Sequence, residues 1–219
     1  MMQNRKQTAW KKNRKLGDIQ GGRMRTKLAD NIFNRQHNLQ PPKDGEEKPI
    51  FIHDNPSRDF YFPVSIEDIK RVLSWLPEEH ISGLTHIWLR KFRKSDHESG
   101  DTPQGEFICG SKVQLIVLYP FPKNHKMRFG KNKPENKVIN FYKNYTNELK
   151  EDEKGWFLEW TKEKVKKYYL EILLLHEIGH SLDSYYKRFR SKAAVKQRED
   201  YADTYAKLWS NRTTISFED

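Results

Sequence analysis

The stretch "LLLHEIGHSLD", Leu173 to Asp183, sets two histidines and a glutamate into an otherwise apolar run. Burying His176, Glu177 and His180 without partners is costly, so the helix that carries them needs a reason to do so. Val165, Tyr168, Tyr169, Ile172, Leu175, Ile178 and Leu182 stand three or four positions apart, which predicts one long helix starting near Thr161. On it, His176 and His180 project from one face a turn apart, and two imidazole nitrogens can reach one ion. Glu177 lies about 100° around the helix from His176, near enough to touch a water at that ion yet offset from the ligand direction. Gly179, between the histidines, lets another element approach closely. The competing reading is two core histidines hydrogen-bonded to their neighbours.

A catalytic zinc takes three protein ligands and leaves its fourth position for water. Downstream stands "QREDYADTYAKLW", Gln197 to Trp209, where Glu199, Ala202, Asp203 and Ala206 share one helical face. Acids beside a small-residue strip need a partner. A metal gives Glu199 one, and Asp203, a turn further on, can accept the N–H of a ligand imidazole. Alternatively these acids pair with Arg188, Arg190 or Lys192. Asp200 points away from the small-residue face.

The 219 residues, 35% of them hydrophobic and 13% aromatic, suffice for one sizeable core with an appended segment. Cys109, the single cysteine, cannot form an internal disulfide, so a reducing interior fits. It sits in an apolar stretch with no evident base, which favours a structural role over a nucleophilic one. No run approaches the roughly 18 apolar residues of a membrane span, and the N-terminus lacks a signal-like apolar core. A cytoplasmic protein with no membrane partner is therefore expected.

The net charge is +11, and nine basic residues against one acid fall between Met1 and Lys27. With little periodicity and a Gly21-Gly22 break, residues 1–48 read as a flexible basic arm and linker, ending in "QPPKDGEEKP"; nucleic acid is a candidate partner for the arm. Residues 49–219 read as the folded domain. In it Ser65 and Asp68 form the capping pattern of an amphipathic helix ending at Pro77. "LTHIWLRKF", "EFICG" and "KVQLIVLYPFP" read as three successive strands, which suggests a small, mainly antiparallel sheet. A polar insertion spans about 121–160; its Phe141, Tyr142 and Tyr145 among lysines suit either base stacking or a solvated loop with a few anchoring rings. The fold class expected is α+β.

"HEIGH", with Glu199 nineteen positions after His180 opening "EDYAD", resembles the HExxH plus ExxAD arrangement of gluzincin metallopeptidases in the zincin superfamily. The strand and helix order is similar to minigluzincins and ImmA/IrrE-type peptidases. The close match covers about residues 173–209, with a looser one from about 60. The resemblance implies a zincin-like fold, one Zn2+ held by His176, His180 and Glu199, Glu177 as catalytic acid/base, and Asp203 as the acid of the second motif. It also implies that "VQLIVLY" runs along the substrate cleft.

The chemistry implied is zinc-dependent hydrolysis of a protein or peptide substrate, with Glu177 taking a proton from the attacking water. Tyr205, Tyr185 and Tyr186 are candidates for stabilising the oxyanion, and Asp183 for orienting a neighbour of the site. The alternative is a zinc-containing regulatory or nucleic-acid-binding module that uses the basic arm without proteolysis. The presence of Glu177 favours the peptidase, since a structural zinc site has no need of a base there.

Overall fold

The structure is a computed structural model that describes residues 18–20, 39–91, 103–110, 112–146, 148–184 and 195–212. Most of the basic arm lies outside the described residues, as do Tyr185, Tyr186, Arg188, Arg190 and Lys192.

The main sheet has five strands in the order β1 (Asp18–Gln20), β2 (Ile50–His53), β4 (His86–Leu89), β6 (Val113–Leu118) and β5 (Gly105–Gly110). β2, β4 and β6 run parallel, whereas β1 and β5 pair antiparallel at the two edges. The sheet is thus mixed with a parallel centre, which corrects the expectation of a mainly antiparallel one. The reason is that "LTHIWLRKF" does not pair with the strand that follows it. The chain passes over to β5 at the edge and returns through β6, so β6 inserts between them.

Side chains alternate across this sheet, as the pleat requires. Phe51, Ile87, Leu89, Ile116 and Leu118 face the main core, while Ile52, Trp88, Leu115 and Val117 form a second cluster with Phe60 and Tyr119. β4 is buried along its whole length, as expected of a central parallel strand covered on both faces.

The helix α1 (Ile66–Trp75) forms as expected. Ser65 Oγ accepts from the Asp68 N–H, the Asp68 carboxylate accepts from the Ser65 N–H, and Ile66, Ile69, Val72 and Leu73 are buried. A short helix α2 (Glu78–Ile81) follows. β3 (Phe60–Tyr61) pairs with β7 (Phe121–Pro122) in a two-stranded ribbon.

The segment expected as a polar insertion is folded. β8 (Lys126–Gly130), β10 (Gly155–Glu159) and β9 (Leu149–Asp152) make an antiparallel three-stranded sheet, joined by the helix α3 (Asn136–Tyr142). Its rings are anchors. Tyr145 stacks on Trp160 with ring centroids 6.1 Å apart, and Tyr142 meets both Trp160 and Tyr168 edge-on at 5.8 and 5.7 Å. Rings committed to one another in this way leave Phe141, which is 40% exposed, as the one of the three aromatics open to a partner.

From the N-cap Thr161 the chain runs through α4 (Lys162–Tyr168), a π-helical turn (Tyr169–Leu173) and α5 (Leu174–Ser184) as one continuous helix. The helix α6 (Val195–Arg212) packs on α5. No helix among the described residues is long and apolar enough to cross a membrane. The architecture is α+β.

Candidate metal centre and cleft

His176 and His180 stand on α5 with their rings perpendicular and centroids 4.6 Å apart. Glu199 reaches them from α6. Its Oε2 lies 3.4 Å from His176 Nε2 and its Oε1 lies 3.6 Å from His180 Nε2. One donor atom from each of the three residues falls within 4.8 Å of the others. His176 turns its other nitrogen away, and Nδ1 makes a 3.0 Å hydrogen bond with Asp203 Oδ1. Two Nε2 atoms therefore converge on one carboxylate while a second carboxylate fixes the first ring from behind.

This convergence depends on how tightly α5 and α6 meet. A Cβ on Gly179 would come within 2.9 Å of the Ala202 Cα and 3.4 Å of its Cβ. The small-residue strip thus lies against the glycine between the histidines, which brings Glu199 and Asp203 within reach of α5.

Glu177 points elsewhere. It is 5% exposed, and its Oε2 has no hydrogen-bond partner among the described residues. Its Oε1 lies where a Cβ on Gly105 would meet it at 2.9 Å, so the first residue of β5 leaves room for the carboxylate. Burial pushes its pKa up to about 8; His176 opposes the shift, whereas Glu199 and Glu106 add to it. Burial also disfavours charge on His176, but bonds to Asp203 and Glu199 outweigh it and raise that pKa to about 10. Glu199 and Asp203 are correspondingly held below the usual carboxylate range by these histidine contacts. Carboxylates that stabilise a proton here would equally stabilise a metal cation in its place.

A cleft of about 310 Å³ opens over His176, Glu177 and Asp203. Its walls come from the start of β5 (Gln104, Gly105), from β8, from α3 and from the helical turns before His176. Tyr142 and Tyr168 line it with their rings edge-on at 5.7 Å, and burial raises both phenols above their ordinary pKa. Sequence reasoning missed Gln104, Gly105, Arg128 and Tyr168 as cleft residues. Gly105 becomes a neighbour of Glu177 only through the packing of β5 on α5, which local sequence does not reveal.

Other candidates sit differently. Tyr205 does not line the cleft. Its hydroxyl makes a 2.9 Å hydrogen bond with His80 Nδ1 on α2, and its Cβ lies against Gly179, so it packs between α6 and α5 with its hydroxyl already engaged. Tyr185 and Tyr186 lie outside the described residues. Asp183 is buried at 1% exposure, and Asp200 is exposed, as its position off the small-residue face implies. Cys109 is half-buried on β5. "VQLIVLY" is hydrogen-bonded on both sides, to β4 and to β5, and has no edge left for a substrate. The sheet edge beside α5 is β5.

No protein-family model, no curated protein and no solved structure matches this chain.

Proposed function

We propose that the protein is a zinc-dependent peptidase whose centre is His176, His180 and Glu199, with Glu177 as its acid/base. The observation that carries this reading is the conjunction of three convergent donors with a buried, unpartnered carboxylate oxygen beside them. Two imidazoles and a carboxylate are the donor set of a catalytic zinc, and a structural site of this kind would give Glu177 no task. An ion bound there would supply a Lewis acid for a water and for a peptide carbonyl.

The chain's own residues supply the rest. Asp203 holds the His176 ring with Nε2 facing the centre. Glu177 Oε2 accepts a proton from a water in the cleft and returns it to the departing amine. Its burial keeps competing water from solvating the carboxylate. An extended peptide lying in the cleft passes Gly105 and brings its backbone beside Glu177. Tyr142 and Tyr168 remain protonated at neutral pH and can donate to developing negative charge. The gluzincin resemblance of residues 173–209 accords with these roles.

The test is zinc content of the purified chain beside His180→Ala and Glu199→Ala, followed by cleavage of an unfolded probe protein, denatured casein, with Glu177→Gln as control. About one zinc per wild-type chain, lost in both variants, with cleavage abolished by Glu177→Gln, supports the proposal. A wild type that binds no zinc sinks it.

A further inference from the structure

Between Phe129 on β8 and Phe141 on α3, both of which wall the cleft, the chain carries Lys131, Lys133 and Lys137, and Lys143 caps the helix. All four lysines are exposed, and Glu135 is the only acid from 131 to 143. None of the four ammonium groups has an ion pair among the described residues. The neighbouring strands differ, since Lys126 and Arg128 meet Asp152 and Lys150 meets Glu159. Unpaired positive charge thus borders the cleft.

We infer that this lysine rim is a docking site for an acidic polypeptide segment, one that follows in the substrate chain on the stretch held in the cleft. The inference deepens the peptidase reading and rests on it for its enzymatic meaning, but the binding itself needs no metal.

Three observations carry it. The first is position. Lys137 and Phe141 stand one helical turn apart on the same face of α3, and both are exposed. A chain that leaves the cleft over Phe141 therefore passes Lys137. The second is pre-organisation. Lys133 Nζ sits 5.2 Å from the centre of the Trp156 ring, which steadies a long side chain, and Phe141 packs edge-on against Tyr142 at 4.9 Å. A cation and a ring already in place lose less freedom when a partner covers them. The third is the pattern of opposite charge, which favours polypeptide over nucleic acid. Glu135 stands among the lysines, and Glu151 is the cross-strand neighbour of Trp156. A nucleic acid, charged at every phosphate, meets that repulsion, whereas a polypeptide carries carboxylates only where its sequence puts them.

The experiment measures fluorescence anisotropy of labelled probes with the full-length Glu177→Gln chain. Two peptides share a neutral stretch followed by a run of glutamates in one and of glutamines in the other, and a single-stranded oligothymidylate of equal charge is the third probe. The rim predicts that the glutamate peptide binds about tenfold or more tightly than the glutamine peptide at low salt, and that adding Lys133→Gln and Lys137→Gln removes most of the difference. Lys11→Gln with Lys12→Gln, in the basic arm, leaves it unchanged. Retention in the rim variant, loss in the arm variant, or tighter rim-dependent binding of the oligonucleotide overturns the inference. Hydrolysis of denatured casein, an acidic chain, separates the two readings. The rim substitutions in the otherwise wild-type chain are expected to raise KM and leave kcat unchanged. If the rim is wrong and the peptidase right, KM does not move. If the peptidase is wrong, casein is not cut while the rim-dependent preference for the glutamate peptide persists.

Discussion

Gly179 and Ala202 mark the point where α5 and α6, the two helices of the candidate centre, touch, since a Cβ on Gly179 would meet the Ala202 Cα at 2.9 Å. The obstruction is backbone, which cannot rotate aside. Alanine is the better helix former by about 1 kcal/mol, but overpacking against a fixed backbone costs about 1–3 kcal/mol. Gly179→Ala is therefore expected to lower stability and, by pushing α6 outward, to draw Glu199 away from the histidines. Chemical denaturation and zinc titration measure the two effects. Unchanged zinc affinity in this variant would show that the helices need not be so close.

Gly105 plays a similar part for Glu177. A methyl group there would come within 2.9 Å of both Glu177 Oε1 and Leu173 Cδ1, and one of them must move. Misplacing a catalytic group by about 1 Å can cost about 100-fold in rate. Gly105→Ala is expected to retain zinc while losing most of its activity, a pattern opposite to that of Gly179→Ala. Metal analysis beside the initial rate on denatured casein distinguishes them.

Asp203 touches His176 and not the expected metal position. Removing such a partner typically lowers metal affinity by 10–100-fold. Asp203→Ala is expected to fall in that range, and Glu199→Ala to lose more, because it removes a donor outright. Competition with a chromogenic chelator reads both. Equal losses in the two variants would contradict the difference in their roles.

The candidate centre was legible because its geometry is local. Spacing on one helix brings His176 to His180, and spacing on another brings Glu199 to Asp203, so two short windows contain all four. The capping box at Ser65 and Asp68 is local in the same sense. What escaped depends on contacts distant in sequence. Whether "LTHIWLRKF" pairs parallel or antiparallel is decided by where β2 and β6 lie, and "PIFIH" is too short a run after a proline-rich stretch to announce β2. The strands β8 to β10 carry lysines and acids in a pattern that composition reads as solvated loop. Their order comes from pairing, from the bidentate Arg128–Asp152 ion pair and from rings buried against Trp160. Three residues of the basic arm, Asp18–Gln20, belong to the sheet edge for the same reason.

Tyr205 offers a sharp test of the cleft's boundary. Its hydroxyl is 2.9 Å from His80 Nδ1, and its ring lies 6.1 Å from that of Trp209, so it ties α6 to α2. Tyr205→Phe removes one hydrogen bond and no apolar contact, with an expected stability loss of about 1 kcal/mol. The turnover rate should be unchanged. A large fall in kcat with stability intact would restore Tyr205 as an oxyanion donor and require it to leave His80 during reaction.

Asp68 should make stability depend on pH in a predictable direction. Burial opposes its charge, but the Ser65 backbone N–H and then Lys166, whose Nζ lies 3.0 Å away, outweigh this and lower its pKa below 3.8. A carboxylate whose folded-state pKa is lowered contributes stability that is present above its unfolded value and is lost as pH falls through the folded one. At neutral pH, Asp68→Ala removes one arm of the capping box and is expected to cost about 1 kcal/mol. Denaturation at successively lower pH should show the two chains converging once Asp68 is protonated in the wild type. A difference that persists undiminished in acid would mean that Asp68 acts through packing and not through its charge.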